Sequence, residues 1–155
     1  MRLWHKDLIP VLPRKQLVGQ WRECCLIASN ISSKGWPNHM LVNRIMEYKL
    51  DHFVTYSNLV FREMEKRGYS PNWESFSKYG PRMRLFDRQE NRHSEPYHPV
   101  PFDDLFSDWH NRRYFFQCYY NLQEKYDCGG IPQEEWSALE LVNFMAGGLN
   151  QSWTK

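Results

Sequence analysis

Between Asp51 and Arg67 the apolar residues Phe53, Tyr56, Val60, Phe61 and Met64 recur at the spacing of one face of a helix. Gly68 follows at once and supplies a C-terminal cap. A helix this amphipathic needs apolar partners, and the rest of the chain offers helices rather than strands. Pro13 suits a first helical turn, and Leu17, Trp21, Cys24 and Leu26 behind it predict a first helix from about Pro13 to Ser29, ended by "NISSKGWPN". A short helix is expected from Asn38 to Tyr48. Ser107 or Asp108 can cap another from about Trp109 to Tyr126, and Pro132 opens a last one that stops at Gly147-Gly148. From Tyr69 to Ser107 the chain is rich in Pro, Ser, Asn, Arg and aromatics without periodicity, which predicts a long ordered loop over the surface. The fold class expected is therefore all-α: a single compact helical domain over residues 1–155, with a long irregular loop between the central and C-terminal helices. The 155 residues, 41% hydrophobic and 25% charged, suffice for one ordinary core.

The net charge of +2 neither demands nor excludes a polyanionic partner, so any basic footprint has to be local. Up to Arg22 the chain carries Arg2, Lys6, Arg14, Lys15 and Arg22 against Asp7 alone. A second basic run, Lys78 to Arg92, has five positive residues against Asp87 and Glu90. Glu95, Asp103, Asp104 and Asp108 then form an acidic counter-patch, so a phosphate backbone should touch one side of the molecule only. An ordinary solvated mixed surface accounts for the same pattern.

Cysteine and histidine usage argues for a reduced, metal-free chain. Cys24 and Cys25 are neighbours whose side chains diverge on a helix, and Cys118 and Cys128 follow no metal-ligand spacing. "HSEPYHPVPFDD" holds His93, His98 and two aspartates, yet on an irregular loop at no standard metal spacing. "DCGG" and "MAGGLN" lack the strand and lysine of a phosphate-binding loop and read as turn and cap glycines. Neither a signal peptide nor a membrane span is visible, which points to a cytoplasmic protein. Arg2 is a poor context for removal of the initiator methionine, so the mature chain is expected to begin at Met1.

The opening "MRLWHKDLIPVLPRKQLVGQWREC" closely resembles that of the pyrimidine dimer DNA glycosylase family, and "YKLDHFVTYSNLVFREMEKRGYSPN" resembles the family's second long helix with its "RGY" ending. Together they cover roughly the first 70 residues. The most telling part is "L-x-x-x-x-R-E", Leu17 to Glu23, at the right distance from the chain start. Nothing beyond Trp73 aligns.

That resemblance implies a DNA repair glycosylase with an associated abasic-site (AP) lyase activity. In the family the free α-amine of the first residue attacks C1′ of the damaged nucleotide, and an imine forms as the base leaves. An α-amine has a reference pKa of about 7.7 to 8.0, so roughly a tenth is already neutral near pH 7. Met1 would be the nucleophile here, and Glu23 the carboxylate that stabilises the sugar cation and handles protons. Arg2, Arg14, Lys15 and Arg22 are the candidate phosphate contacts, and Gln16 a polar contact near the site. Gly19 lies one turn before Glu23, where a glycine costs about 0.5 to 1 kcal/mol relative to alanine. Its missing side chain would let the terminus or a deoxyribose reach the carboxylate; close helix packing is the alternative. Three positions depart from a phage member of the family: Met1 replaces its threonine amine, Lys15 a glutamine, and Leu26 a DNA-contacting arginine. The expected partner is double-stranded DNA with damaged bases, bound by a monomer near the nucleoid without metal or organic cofactor. In "RRYFFQCYY" the arginine–aromatic pattern suits base stacking, although a buried face for Phe115, Phe116 and Tyr119 fits equally. The rival function is a non-catalytic nucleic-acid-binding or protein-interaction module on the same scaffold.

Overall fold

Pro13 and Gly35 bracket the first long helix in the computed structural model, which describes residues 1–87 and 96–148. α1 (Arg14–Lys34) buries Leu17, Trp21, Cys24, Ile27, Ala28 and Ile31 along one stripe. It runs more than a turn past the expected stop at Ser29, because Ile31 and Ser32 are themselves buried and packing outweighs the poor helix propensity of the serines. The Ser33 hydroxyl turns back to the Ser29 carbonyl at 2.8 Å. Gly35 then ends the helix at φ +81°, and a Cβ there would stand 2.8 Å from the Phe86 ring. Leu26, assigned to the apolar stripe from its spacing, is half exposed.

α2 (Leu50–Lys66) forms as its periodicity requires, with Phe53, Tyr56, Val60 and Met64 inside. Phe61 lies at the edge of that stripe and packs on Trp21 and Trp73, with ring centroids 5.4 and 5.1 Å away. The "RGY" ending is structural. Tyr69 N–H reaches the Met64 carbonyl and Gly68 N–H that of Glu65, both at 2.9 Å, which closes the helix in a Schellman motif. Arg67 meanwhile donates to the carbonyls of Leu12 (2.7 Å), Pro10 (2.9 Å) and Ile9 (3.3 Å), while Glu63 accepts from its Nε at 2.7 Å. It thereby ties α2 to an early 3₁₀ helix, Lys6–Val11, that its proline had hidden.

Two other elements differ from expectation. Of the helix expected over Asn38–Tyr48, only the 3₁₀ helix Asn43–Glu47 forms; Asn38 at φ +61° breaks the path into it. The supposed surface loop from Tyr69 contains α3 (Glu74–Ser77) and α4 (Gly80–Arg84), whose Phe76 and Met83 are buried against α1. Helices of four and five residues show no periodicity, so the segment reads as loop although it closes the core. Its later part buries Leu105 and Phe106, and Trp109 and His110 are buried just beyond it.

α5 (Arg112–Asp127) starts three residues later than expected. Its cap is Asn111, whose side chain accepts from Tyr114 N–H at 3.1 Å, rather than Ser107 or Asp108. Asp108 instead accepts from Tyr48 and, at 3.1 Å, from Arg44. Phe115 and Tyr119 are buried and Phe116 partly so. α6 (Gln133–Met145) follows Pro132 and packs on both α5 and the first 3₁₀ helix. The "DCGG" glycines make a turn, with Gly129 at φ +74°. Among the described residues there are six α-helices and no strand, and no helix is long and apolar enough to cross a membrane.

Candidate active site

Residues 2–5 run as a largely buried, non-helical segment into the 3₁₀ helix Lys6–Val11, and buried backbone polar groups there cannot stay unpaired. Side chains from three helices supply the partners that a sheet would otherwise provide. Trp4 N–H donates to the Gln20 side-chain carbonyl at 2.9 Å, and Trp4 O accepts from the Tyr56 hydroxyl at 2.7 Å. Leu3 O accepts from the Tyr114 hydroxyl at 2.6 Å. Lys6 N–H donates to Nδ1 of His110 at 3.0 Å. The chain start is therefore held by α1, α2 and α5 together.

The two histidines lock this arrangement. His5 Nδ1 accepts from Asp7 N–H at 3.2 Å, so its Nε2–H donates to the His110 carbonyl at 2.7 Å, and the rings stack with centroids 5.2 Å apart. His110 Nε2 is buried without a partner. Burial, and then the charges of His5 and Lys6, push the His110 pKa down to about 2, while burial lowers His5 against the opposing pull of Asp7. Both rings are neutral structural groups.

At the end of the segment the amine and the carboxylate meet. The Met1 amine nitrogen lies 3.8 Å from Glu23 Oε1, and Arg2 N–H donates to Glu23 Oε2 at 2.9 Å. One oxygen is thus anchored by the backbone while the other faces the amine. The Glu23 side chain is one-third exposed (33%) and the Met1 side chain nearly covered (12%), so the pair opens to solvent from the carboxylate side. Gly19 stands one turn earlier on α1, and a Cβ built there would meet nothing within 4 Å. The space predicted beside Glu23 is open, and helix packing does not fill it.

The other expected site residues divide. Arg22 and Lys15 are exposed, and neither pairs with an acid among the described residues. Arg14 is exposed, its guanidinium 5.5 Å from the Tyr69 ring centroid, while its main-chain N–H donates to the Glu135 carboxylate at 3.1 Å. It starts α1 nine residues before Glu23, about 13 Å along the axis. Gln16 shares a helical face with Glu23, and its Oε1 is buried without a partner. Arg2 lies against Trp4 at 5.4 Å and reaches Cys118 Sγ at 4.0 Å, inside the site rather than on an outer basic face. Lys6 does not belong to the basic footprint: it is buried and donates to the carbonyls of Phe102 (2.5 Å) and Asp103 (3.0 Å). Arg88, Arg92, His93 and Glu95 lie outside the described residues. Among the described residues no three His, Cys, Asp or Glu side chains form a metal-binding group.

Spacing alone concealed Gln20 and Tyr114. Gln20 is a buried amide inside the apolar stripe of α1, and that misplaced polarity was its only mark. Tyr114 stands in the part of the chain that aligned with nothing. Its hydroxyl is pushed up by burial and by Cys118, with Glu23 adding in the same direction against Arg2, so it stays a hydrogen-bond donor. The four cysteines are free, and burial raises the Cys24 thiol to about 12, which makes it a packing group.

Residues 1–76 match the family model described as pyrimidine dimer DNA glycosylase. No curated protein and no solved structure matches the chain.

Proposed function

We propose that the chain, whose residues 1–76 match the pyrimidine dimer DNA glycosylase family model, excises a damaged pyrimidine from double-stranded DNA through its α-amine and then cleaves the strand as an AP lyase. The observation that carries this reading is the Met1 amine 3.8 Å from Glu23 Oε1, with Arg2 N–H holding the other oxygen at 2.9 Å.

In this mechanism the neutral amine attacks C1′ and the glycosidic bond breaks, its electron pair leaving with the base, which takes up a proton. Glu23 opposes the positive charge that develops on the sugar, accepts the proton released from the attacking nitrogen and passes it to O4′ as the C1′–O4′ bond opens. The product is an iminium between the α-nitrogen and C1′. Loss of a C2′ proton then drives β-elimination: the C3′–O bond breaks, the 3′ phosphate leaves, and water hydrolyses the imine to restore the amine. Each step balances without a metal or a redox partner. Arg22 and Lys15 would bind phosphates, Arg14 would do so farther along the duplex, and Gln16 and Arg2 would stand closest to the sugar.

Borohydride trapping tests this directly on duplexes carrying a cyclobutane thymine dimer or an abasic site. We expect a covalent protein–DNA adduct with the wild type, none with an N-terminally acetylated chain, and loss of dimer-strand cleavage in Glu23→Gln. Absence of any adduct on both duplexes overturns the imine mechanism and leaves a non-catalytic binding module. An adduct on the abasic duplex alone retains the lyase and refutes the dimer as substrate.

A further inference from the structure

Between α1 and the 3₁₀ helix Asn43–Glu47 a short loop turns two large apolar side chains to solvent: Met40 is 84% exposed and Leu41 50%. Both stand on a stiff base. Pro37 and Val42 are buried on either side of them, and the Asn30 side-chain amide of α1 donates to the Pro37 carbonyl at 2.9 Å. His39 closes the turn. Its N–H donates to Asn43 Oδ1 at 3.0 Å, its Nδ1 accepts from Leu41 N–H at 3.3 Å, and its carbonyl accepts from the N–H groups of Val42 and Asn43 at 3.0 and 2.9 Å. The tip is therefore held by its backbone and leaves both side chains uncovered.

This tip adjoins the amine–carboxylate pair. Leu41 lines a cleft of about 620 Å³ together with Arg2 and Tyr114, and the main-chain N–H of Arg2 binds Glu23. The loop's anchor on α1, Asn30, shares a helical face with Glu23 and the half-exposed Leu26, each one turn from the next. The surroundings suit a polyanion: the next acidic residue after Glu23 is Glu47, whereas Lys34 at the start of the loop and Arg22 beside Glu23 are exposed. Two side chains are too few for a protein partner, whose interface buries about 1,200 Å² or more. They have the size and chemistry of the apolar wedges, Met and Leu among them, that enter one base step and kink a duplex.

We propose that Met40 and Leu41 form a wedge that enters the duplex at the step next to the reacting sugar and holds the stack open there while the α-amine approaches C1′. The inference rests on the proposed glycosylase reading and adds to it the part of the protein that deforms the DNA. Because the loop is already fixed by its own hydrogen bonds, inserting it orders little further chain, and its contacts go toward the cost of unstacking.

The test is borohydride trapping on two abasic duplexes, one fully paired and one with mismatched bases flanking the abasic site, where the stack is already open. The double variant Met40→Ala/Leu41→Ala should trap about tenfold or more slowly than the wild type on the paired duplex and recover most of the wild-type rate on the mismatched one. Met40→Leu, which keeps an apolar wedge, should trap at close to the wild-type rate on both. An equal loss on both duplexes, or no loss on the paired one, overturns the proposal. If the wild type gives no adduct with either duplex, the imine reading fails by itself, and the wedge is decided by the NMR signal of the Met40 methyl group, identified by its absence in Met40→Leu. An upfield ring-current shift of that signal on adding the paired abasic duplex supports insertion between bases; an unmoved or downfield-shifted signal overturns it.

Discussion

Replacing Gly19 by alanine separates the two reasons a helix can carry a glycine. Gly19 sits within α1 in ordinary helical conformation, and an added methyl meets no atom within 4 Å. The folded protein therefore gains helix propensity without a clash, about 0.5 to 1 kcal/mol, or roughly 1 to 4 °C in melting temperature for a chain of this size. The space the methyl enters lies one turn from Glu23. If a deoxyribose occupies it during attack at C1′, the methyl overpacks the complex by about 1 to 3 kcal/mol, a loss of about 5- to 150-fold in kcat/KM. Thermal unfolding by circular dichroism and single-turnover trapping on the abasic duplex measure the two effects on one preparation. The expected result is a more stable and slower enzyme. Higher stability with unchanged trapping would show that no substrate uses the gap, and lower stability would refute the steric premise.

Three further outcomes follow from the contacts around the terminus. His110 has its pKa pushed down to about 2 in the fold against about 6.5 unfolded, so below pH 6.5 the unfolded chain takes up a proton that the fold refuses. Stability should then fall by about 1.4 kcal/mol per pH unit from this residue, from pH 6.5 downward; urea titrations at pH 7 and pH 5 should show a drop that His110→Asn reduces, and an identical drop in the variant would refute the assignment. Arg67→Ala leaves the carbonyls of Ile9, Pro10 and Leu12 and the Glu63 carboxylate without their donor, and should cost about 2 to 3 kcal/mol in the same titration; a loss under about 0.5 kcal/mol would mean water replaces it. Lys15→Gln and Arg22→Gln should each flatten the slope of log K against log salt for duplex binding by about 0.9, and an unchanged slope would remove that residue from the phosphate contacts.

What the sequence revealed and concealed follows from the length over which each signal repeats. α1, α2, α5 and α6 each extend over three or more turns, so their apolar residues could be matched to a helical period. α3 and α4 span one turn each, and their buried Phe76 and Met83 are single residues in a polar, proline-containing segment. Glu23 was singled out through a resemblance in its local motif, and the structure brings its carboxylate within 3.8 Å of the Met1 amine. Lys6 was misassigned for the converse reason: a lysine in a basic stretch looks like surface until the carbonyls of Phe102 and Asp103, nearly a hundred residues away, close over its amine. Leu26 failed likewise, since it lies two residues after Cys24 and the stripe continues through Ile27 and Ala28 instead.

The same long-range closure bears on where the site resides. The amine and carboxylate both belong to residues 1–76, but the segment that presents the amine is not held by those residues alone. Leu3 O depends on Tyr114, Lys6 N–H on the His110 ring, Lys6 Nζ on Phe102 and Asp103, and the His5 ring on the His110 carbonyl. Without them these groups would remain in the interior unpaired, each at a cost of about 1 to 3 kcal/mol, and the ammonium at more. Geometry at the 3.8 Å separation between Met1 and Glu23 is set jointly by the two parts of the chain. The C-terminal half thus supports the amine it does not contain, Tyr114 of α5 through the Leu3 carbonyl and the stretch from Phe102 to His110 through His5 and Lys6.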